Sequence, residues 1–130
     1  MKKLIVVAAA LALAGCQSSA EMQKSIDQST APSATLKAAI VHDARDFLAD
    51  PYSIRDAEIS DVQRNPKTGI EWVCVKANAK NAMGGYTGRQ TIEVDARGSM
   101  LVGNLPNSSA CSNPSLKWQR FMELEALKNL

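Results

Sequence analysis

A chain of 130 residues, 45% apolar and 22% charged with a net charge of +2, is long enough for one small domain. It is too apolar and too evenly charged for a disordered acidic or basic tail. A single histidine excludes a histidine-rich metal site, and three cysteines are an odd set for a disulfide framework.

Lys2 and Lys3 precede an unbroken apolar run from Leu4 to Ala14, the charge-then-apolar pattern of a secretory leader. The run is too short to span a bilayer, which needs about 20 apolar residues. It ends in Leu13-Ala14-Gly15-Cys16, followed by the polar Gln17-Ser18-Ser19. These residues resemble the lipobox of bacterial lipoproteins: a long apolar residue, two small ones, then cysteine. The resemblance implies that residues 1–15 are removed and that Cys16 becomes the first residue, carrying a diacylglyceryl thioether and an acylated amine. The membrane is then a partner through the acyl chains, since two or more chains anchor stably. Gln17, where an aspartate would favour retention at the inner membrane, implies the outer membrane of the cell envelope. The competing reading is an ordinary cleaved leader with a coincidental cysteine. Loss of Lys2 and Lys3 leaves thirteen basic against thirteen acidic residues, so the charge of the mature chain gives no argument for nucleic-acid binding.

Residues 17–34 are rich in Ser, Gln, Ala and Thr and read as a flexible tether, so that residues 16–34 form a lipidated cysteine and spacer before a single domain at 35–130. Such a spacer reaches about 60 Å extended and about 23 Å as a coil, letting the domain stand clear of the lipid. A short helix using Met22 and Ile26 is the weaker alternative.

From Thr35 to Ala49, Leu36, Ile40, Ala44, Phe47 and Leu48 recur at helical offsets as one buried stripe. Ser33 or Thr35 caps the start and Pro51 stops the helix. His42 and Asp46, at i and i+4, read as a solvated ion pair in preference to a catalytic one. Four strands follow in short succession, Ile54–Val62, Ile70–Ala79, Tyr86–Val94 and Ser99–Gly103, with turns at Asn65–Gly69 and Asp95–Gly98. Trp72 to Val75 are apolar on both faces, which predicts a central strand, and the short connections predict an antiparallel meander. After a polar loop, Asn113 and Pro114 predict the start of a final helix carrying two stripes, Trp118–Met122–Ala126 and Leu116–Leu124–Leu127. The expected fold is α+β, a small antiparallel sheet of three to four strands between an N-terminal and a C-terminal helix.

Once Cys16 is assigned to lipid, Cys74 and Cys111 remain. Export to an oxidising compartment predicts a disulfide between them, closing a 37-residue separation and stapling the final helix to the sheet. There is no Cys-x-x-Cys motif, and two cysteines with one distant histidine are a poor metal set, so no metal or cofactor is expected.

Asp50-Pro51-Tyr52-Ser53, Val73-Cys74, Asn78-Ala79-Lys80-Asn81 and Gly84-Gly85-Tyr86-Thr87-Gly88 resemble motifs of a set of short proteobacterial exported proteins with no established activity. The resemblance covers roughly residues 36–92 and implies a fold and a compartment, not a chemistry. The chain departs from it at Val75, where that pattern has glycine. Lys80, Asn81, Tyr86 and Arg89 are the candidate binding residues of the Asn78–Arg89 loop; the alternative is a hairpin loop that satisfies itself. No nucleophile–base pair stands out, so the expected function is non-catalytic: an envelope binding or assembly module with a protein partner. The alternative is an inhibitor of lysozyme-type enzymes or a surface-defence factor, the loop plugging an enzyme cleft.

Overall fold

The computed structural model describes residues 13–129. The leader read at residues 1–15 lies almost wholly outside them. No helix among the described residues is long and apolar enough to cross a membrane.

Among the described residues the architecture is α+β, with three helices, one open antiparallel sheet of six strands, and a Cys74–Cys111 disulfide. In chain order the strands are β1 (Arg55–Ser60), β2 (Gln63–Arg64), β3 (Glu71–Asn78), β4 (Gln90–Arg97), β5 (Met100–Pro106) and β6 (Trp118–Arg120). The sheet runs β5-β4-β3-β1-β6, with β2 extending β1 along the same edge of β3. The four expected strands form the meander, and β3 is central. Ile59 stands opposite Val75, Gln63 opposite Trp72, Val73 opposite Val94, and Val94 opposite Asn104. Between β1 and β2 the ladder is interrupted. There the buried Ser60 hydroxyl accepts the Cys74 N–H at 2.8 Å, so a central amide is not left unpaired. The β4–β5 hairpin turns on Gly98-Ser99, with Gly98 at φ +60° in the first loop position, where glycine avoids a Cβ clash.

Period-two alternation on β3 sends its apolar residues to two cores. Val73 and Val75 join Leu36, Ile40, Ile54, Ala57, Ile59, Val94 and Phe121 beneath α2 (Ala34–Phe47) and the C-terminal turns. Trp72 and Cys74 face the other way and pack with Ile26, Cys111 and Leu116. Helix α2 begins where expected, with the Ser33 hydroxyl accepting the Leu36 N–H at 3.1 Å. Its stripe holds through Leu36, Ile40 and Ala44, but Phe47 projects into solvent because the helix ends there and Leu48 turns inward.

Two expectations need correction. The stretch read as a flexible tether is largely structured: α1 (Leu13–Asp27) packs on the Trp72 face through Met22 and the buried Ile26. The Ser25 hydroxyl donates to the Arg64 carbonyl at 3.0 Å and accepts the Arg64 N–H at 3.2 Å. Thr30 and Val62 then exchange backbone hydrogen bonds. An i,i+4 apolar pair and one hydroxyl suffice to dock a segment whose composition is otherwise that of a linker.

The single final helix is the second. Ser108–Cys111 leads through a 3₁₀ turn, Ser109–Ser112, into β6, which pairs Trp118 with Ser60 and covers the edge of β1. Only then do a short α3 (Met122–Glu125) and a 3₁₀ turn (Ala126–Asn129) follow. The disulfide therefore staples the Ser109–Ser112 turn to the sheet and not a helix. The segment passes around the sheet edge, with Leu116 in one core and Phe121, Leu124 and Leu127 in the other.

Candidate functional site

The Asn78–Arg89 connection opens at one end of the sheet, beside the C-terminus of α2. Asn81 organises it. Its amide oxygen accepts the N–H groups of Met83 (3.0 Å) and Gly85 (3.1 Å), while its backbone exchanges bonds with Gly84 and Gly85. Gly84 takes φ +81° at the bend, and Lys80 bridges Tyr86 across the loop neck. Asn81 is thus the residue that closes the loop, and its side-chain oxygen is already engaged.

The loop does not stand alone. Asp50-Pro51-Tyr52-Ser53 forms a 3₁₀ turn, Pro51–Ser53, started by the φ of Pro51 and closed by Ser53 N–H and hydroxyl donating to the Asp50 carbonyl. The Ser53 hydroxyl also accepts the Lys80 N–H at 2.8 Å, and the Tyr86 hydroxyl donates to the Ser53 carbonyl at 2.6 Å. Two separate sequence motifs are therefore one unit, with Ser53 as the joint. The Arg55 guanidinium lies 3.6 Å from the Tyr86 ring centroid and the Lys80 ammonium 5.7 Å, so two cations stand against one aromatic ring. Arg89 is turned away from this group and pairs with Glu58 at 2.9 Å. Of the four candidate residues the structure brings Lys80, Asn81 and Tyr86 together and leaves Arg89 apart.

This unit and the neighbouring end of α2 present three large apolar side chains to solvent. Met83 at the loop apex is 92% exposed, Phe47 at the end of α2 is 61% exposed, and Tyr52 on the turn is 53% exposed. Sequence reasoning missed Phe47 and Tyr52 as surface residues. The signal for Tyr52 was its place inside a Pro-initiated turn, where a side chain points outward. Flexible methionine, aromatic rings and arginine on a rigid platform are the chemistry of a protein-recognition surface.

Elsewhere, His42 is exposed and lines a shallow groove of about 320 Å³ with Lys37, Val41, Arg45 and Glu123. Lys37 and Glu123 pair there at 3.1 Å, tying α2 to α3. Glu123 is held below the usual carboxylate range by its own backbone N–H and by Lys37.

On the Trp72 face, Glu93 accepts a hydrogen bond from Ser108 and shares its strand face with Asp95. Partial burial raises the Glu93 pKa above 4.5; the Ser108 bond opposes this and Asp95 adds to the rise. A carboxyl whose folded pKa is raised stabilises the fold fully below its unfolded pKa, and that contribution is lost as pH climbs through the folded value. Glu93→Gln is accordingly expected to be more stable than the parent chain at neutral pH and to flatten the stability profile above pH 4.5. Urea midpoints measured from pH 4 to 8 check this, and a neutral-pH midpoint lowered by the substitution contradicts it.

No protein-family model, curated protein or solved structure matches this chain.

Proposed function

We propose that the chain is a lipoprotein of the bacterial envelope, anchored in the outer membrane through acyl chains on Cys16 and acting as a non-catalytic binding or assembly module. The observation that carries this reading is the joined Ser53–Tyr86 unit, a hydrogen-bonded platform that holds Tyr52 and Met83 outward beside Phe47. Large apolar side chains held in solvent at one end of a small protein mark an interaction surface. The lipobox Leu13-Ala14-Gly15-Cys16 supports the anchoring half of the reading.

The test is a photo-crosslinking amino acid placed at Met83, at Tyr52, and at the exposed control position Ser115 in growing cells. The expected result is a reproducible protein adduct from Met83 and Tyr52 and none from Ser115. Phe47→Ser with Tyr52 and Met83 intact is expected to weaken the adduct while changing stability by no more than about 0.5 kcal/mol. No adduct from either position overturns the reading. The apex position of Met83 also suits insertion into a cleft, and this favours a second reading as an inhibitor of lysozyme-type enzymes. A glycan-cleaving enzyme as the adduct, together with its inhibition by the purified protein, selects that reading.

A further inference from the structure

Helix α1 has a direction relative to the sheet that three contacts define. Thr30, just after its C-terminus, bonds Val62; Ser25 bonds Arg64; and Glu21 pairs with Lys67 at 3.6 Å. Going back along α1, the chain therefore climbs beside β2 toward the turn Asn65–Gly69. The β4–β5 turn lies at the same end, because Glu71 stands opposite Ala96 and Arg97 opposite Met100. The Ser53–Tyr86 unit lies at the other end, where Arg55 pairs with Asn78.

Cys16 precedes Glu21 by five residues. That segment reaches about 18 Å fully extended and about 7.5 Å as a helix. An acyl anchor at Cys16 would hold the Asn65–Gly69 end within that distance of the lipid, not at the tens of ångströms an unstructured 17–34 spacer allows. The end so held carries the exposed cations Arg64, Lys67 and Arg97, with Lys24 on the flank of α1. The opposing acids are Glu21, already bridged to Lys67, and Glu71, across the ladder from Arg64. Met100, 65% exposed, stands beside Arg97 on the hairpin. The far end carries Asp46, Asp50 and Asp56 together with the cations Arg55 and Lys80, so the direction of α1, and not a charge difference between the ends, sets the orientation.

We propose that the end of the sheet formed by Arg64, Lys67 and Arg97 is a lipid-facing surface, seated on anionic headgroups by the anchor at Cys16, so that the Ser53–Tyr86 unit faces away from the membrane. This rests on the lipid-anchoring reading above. The seat is electrostatic and close: cations within a Debye length of an anionic surface each contribute about a fivefold factor to the seated population.

The experiment uses the full-length protein, processed in cells and reconstituted into phosphatidylethanolamine–phosphatidylglycerol vesicles that contain a headgroup quencher. Incorporation of an alkyne-tagged fatty acid into the parent chain and not into Cys16→Ser reports the anchor by itself. A fluorophore is then attached at Thr68→Cys or, separately, at Met83→Cys, with Cys74 and Cys111 held in their disulfide. The expected result is strong quenching at position 68 and little at position 83. Combining Arg64→Gln, Lys67→Gln and Arg97→Gln is expected to reduce the seated population about a hundredfold and to weaken the contrast between the two labels to what the Cys16 tether alone maintains. An acylated protein whose labels are quenched equally, or with position 83 the stronger, overturns the orientation and leaves the anchor standing. An acylated triple variant with the contrast intact overturns the electrostatic seat. Absence of acylation overturns both the seat and the anchor.

Discussion

Phe121→Ala is expected to cost about 3 to 5 kcal/mol of stability, a large part of what a domain of this size possesses. Phe121 is fully buried and is the largest side chain with no exposure. It stands where β6 gives way to α3, and it belongs to the same core cluster as Ile59, Val73 and the C-terminal Leu124 and Leu127. The backbone around it is equally committed. Phe121 N–H donates to the Ala57 carbonyl at 2.9 Å, and the Phe121 carbonyl accepts from Leu124 and Glu125. Ala57 belongs to an irregular stretch of β1, where Asp56 takes φ +54° and the register to β3 shifts between Arg55 and Glu58. That irregularity turns the Ala57 N–H out of the ladder, and the Glu125 carboxylate accepts it at 3.0 Å. Truncating the ring leaves a cavity where three segments meet, and the surroundings can close it only by releasing those bonds. Phe121→Leu, which keeps most of the volume, is expected to recover more than half of the loss. Chemical denaturation of the two variants measures both effects. A Phe121→Ala loss under about 1.5 kcal/mol would show that the site collapses freely and that the ring is not the centre of this core.

The same residue shows where local pattern stops being informative. Leu116, Trp118, Met122, Leu124, Ala126 and Leu127 contain helical offsets, and Asn113-Pro114 is a sound helix start. They also contain the two-residue spacing of a strand, Leu116 to Trp118, followed by the three-residue spacing Phe121, Leu124, Leu127. The segment uses both, because it must pass from the Trp72 core to the Val73 core around a strand edge. Only the open edge of β1 decides between the readings, and that edge exists only once the sheet is assembled. Ser60 standing opposite Trp118 in the ladder is a tertiary fact. By contrast, the central strand was legible in Trp72-Val73-Cys74-Val75, since apolar residues on both faces require cover on both sides. The α2 start was legible at Ser33 and the meander in its turn residues, all of them local chemistry.

The candidate site divides in the same way. That Asn78–Gly88 is a tight polar loop follows from Asn and Gly at bend positions. That it docks on Asp50–Ser53 does not, because the Ser53–Lys80 bond joins residues 27 apart in sequence. Tyr86 looked free to bind a ligand; its hydroxyl is instead bonded to Ser53, and what remains exposed is the face of the unit around it. The stretch ahead of Thr35 was misjudged for a related reason. Its composition is that of a linker, but the docking of α1 depends on the Arg64 backbone and on Trp72, which nothing near residues 17–34 reveals.

Opening the Cys74–Cys111 disulfide is expected to cost about 3 to 4 kcal/mol, the chain-entropy value for closing a loop of this length. The two cysteines are buried, with Cα atoms 5.6 Å apart and a sequence separation of 37. The effect is expected to be uneven across the molecule. The Val73 core is broad and is held by α2, four strands and the C-terminal turns, whereas among the described residues the Trp72 core has five buried members, Ile26, Trp72, Cys74, Cys111 and Leu116. The disulfide supplies two of those five residues and is the one covalent tie between the Ser109–Ser112 turn and the sheet. Cys74→Ala with Cys111→Ala avoids burying two unpaired hydroxyls, which the serine pair would do. In that double variant residues 107–117 are expected to lose amide protection first, with α1 following because Ile26 packs on the same cluster. The strands of the meander are expected to keep theirs until global unfolding. Hydrogen exchange of the parent chain and of the double variant reads this order, and thermal melts are expected to fall by about 12 °C or more for a domain of this size. Uniform loss of protection would mean that the two faces of the sheet fold as one cooperative unit. An unchanged midpoint would mean that Leu116, Trp72 and Ile26 hold the second face without covalent help. The expected outcome ties the anchor to the fold, because reduction loosens first the face on which α1 is docked.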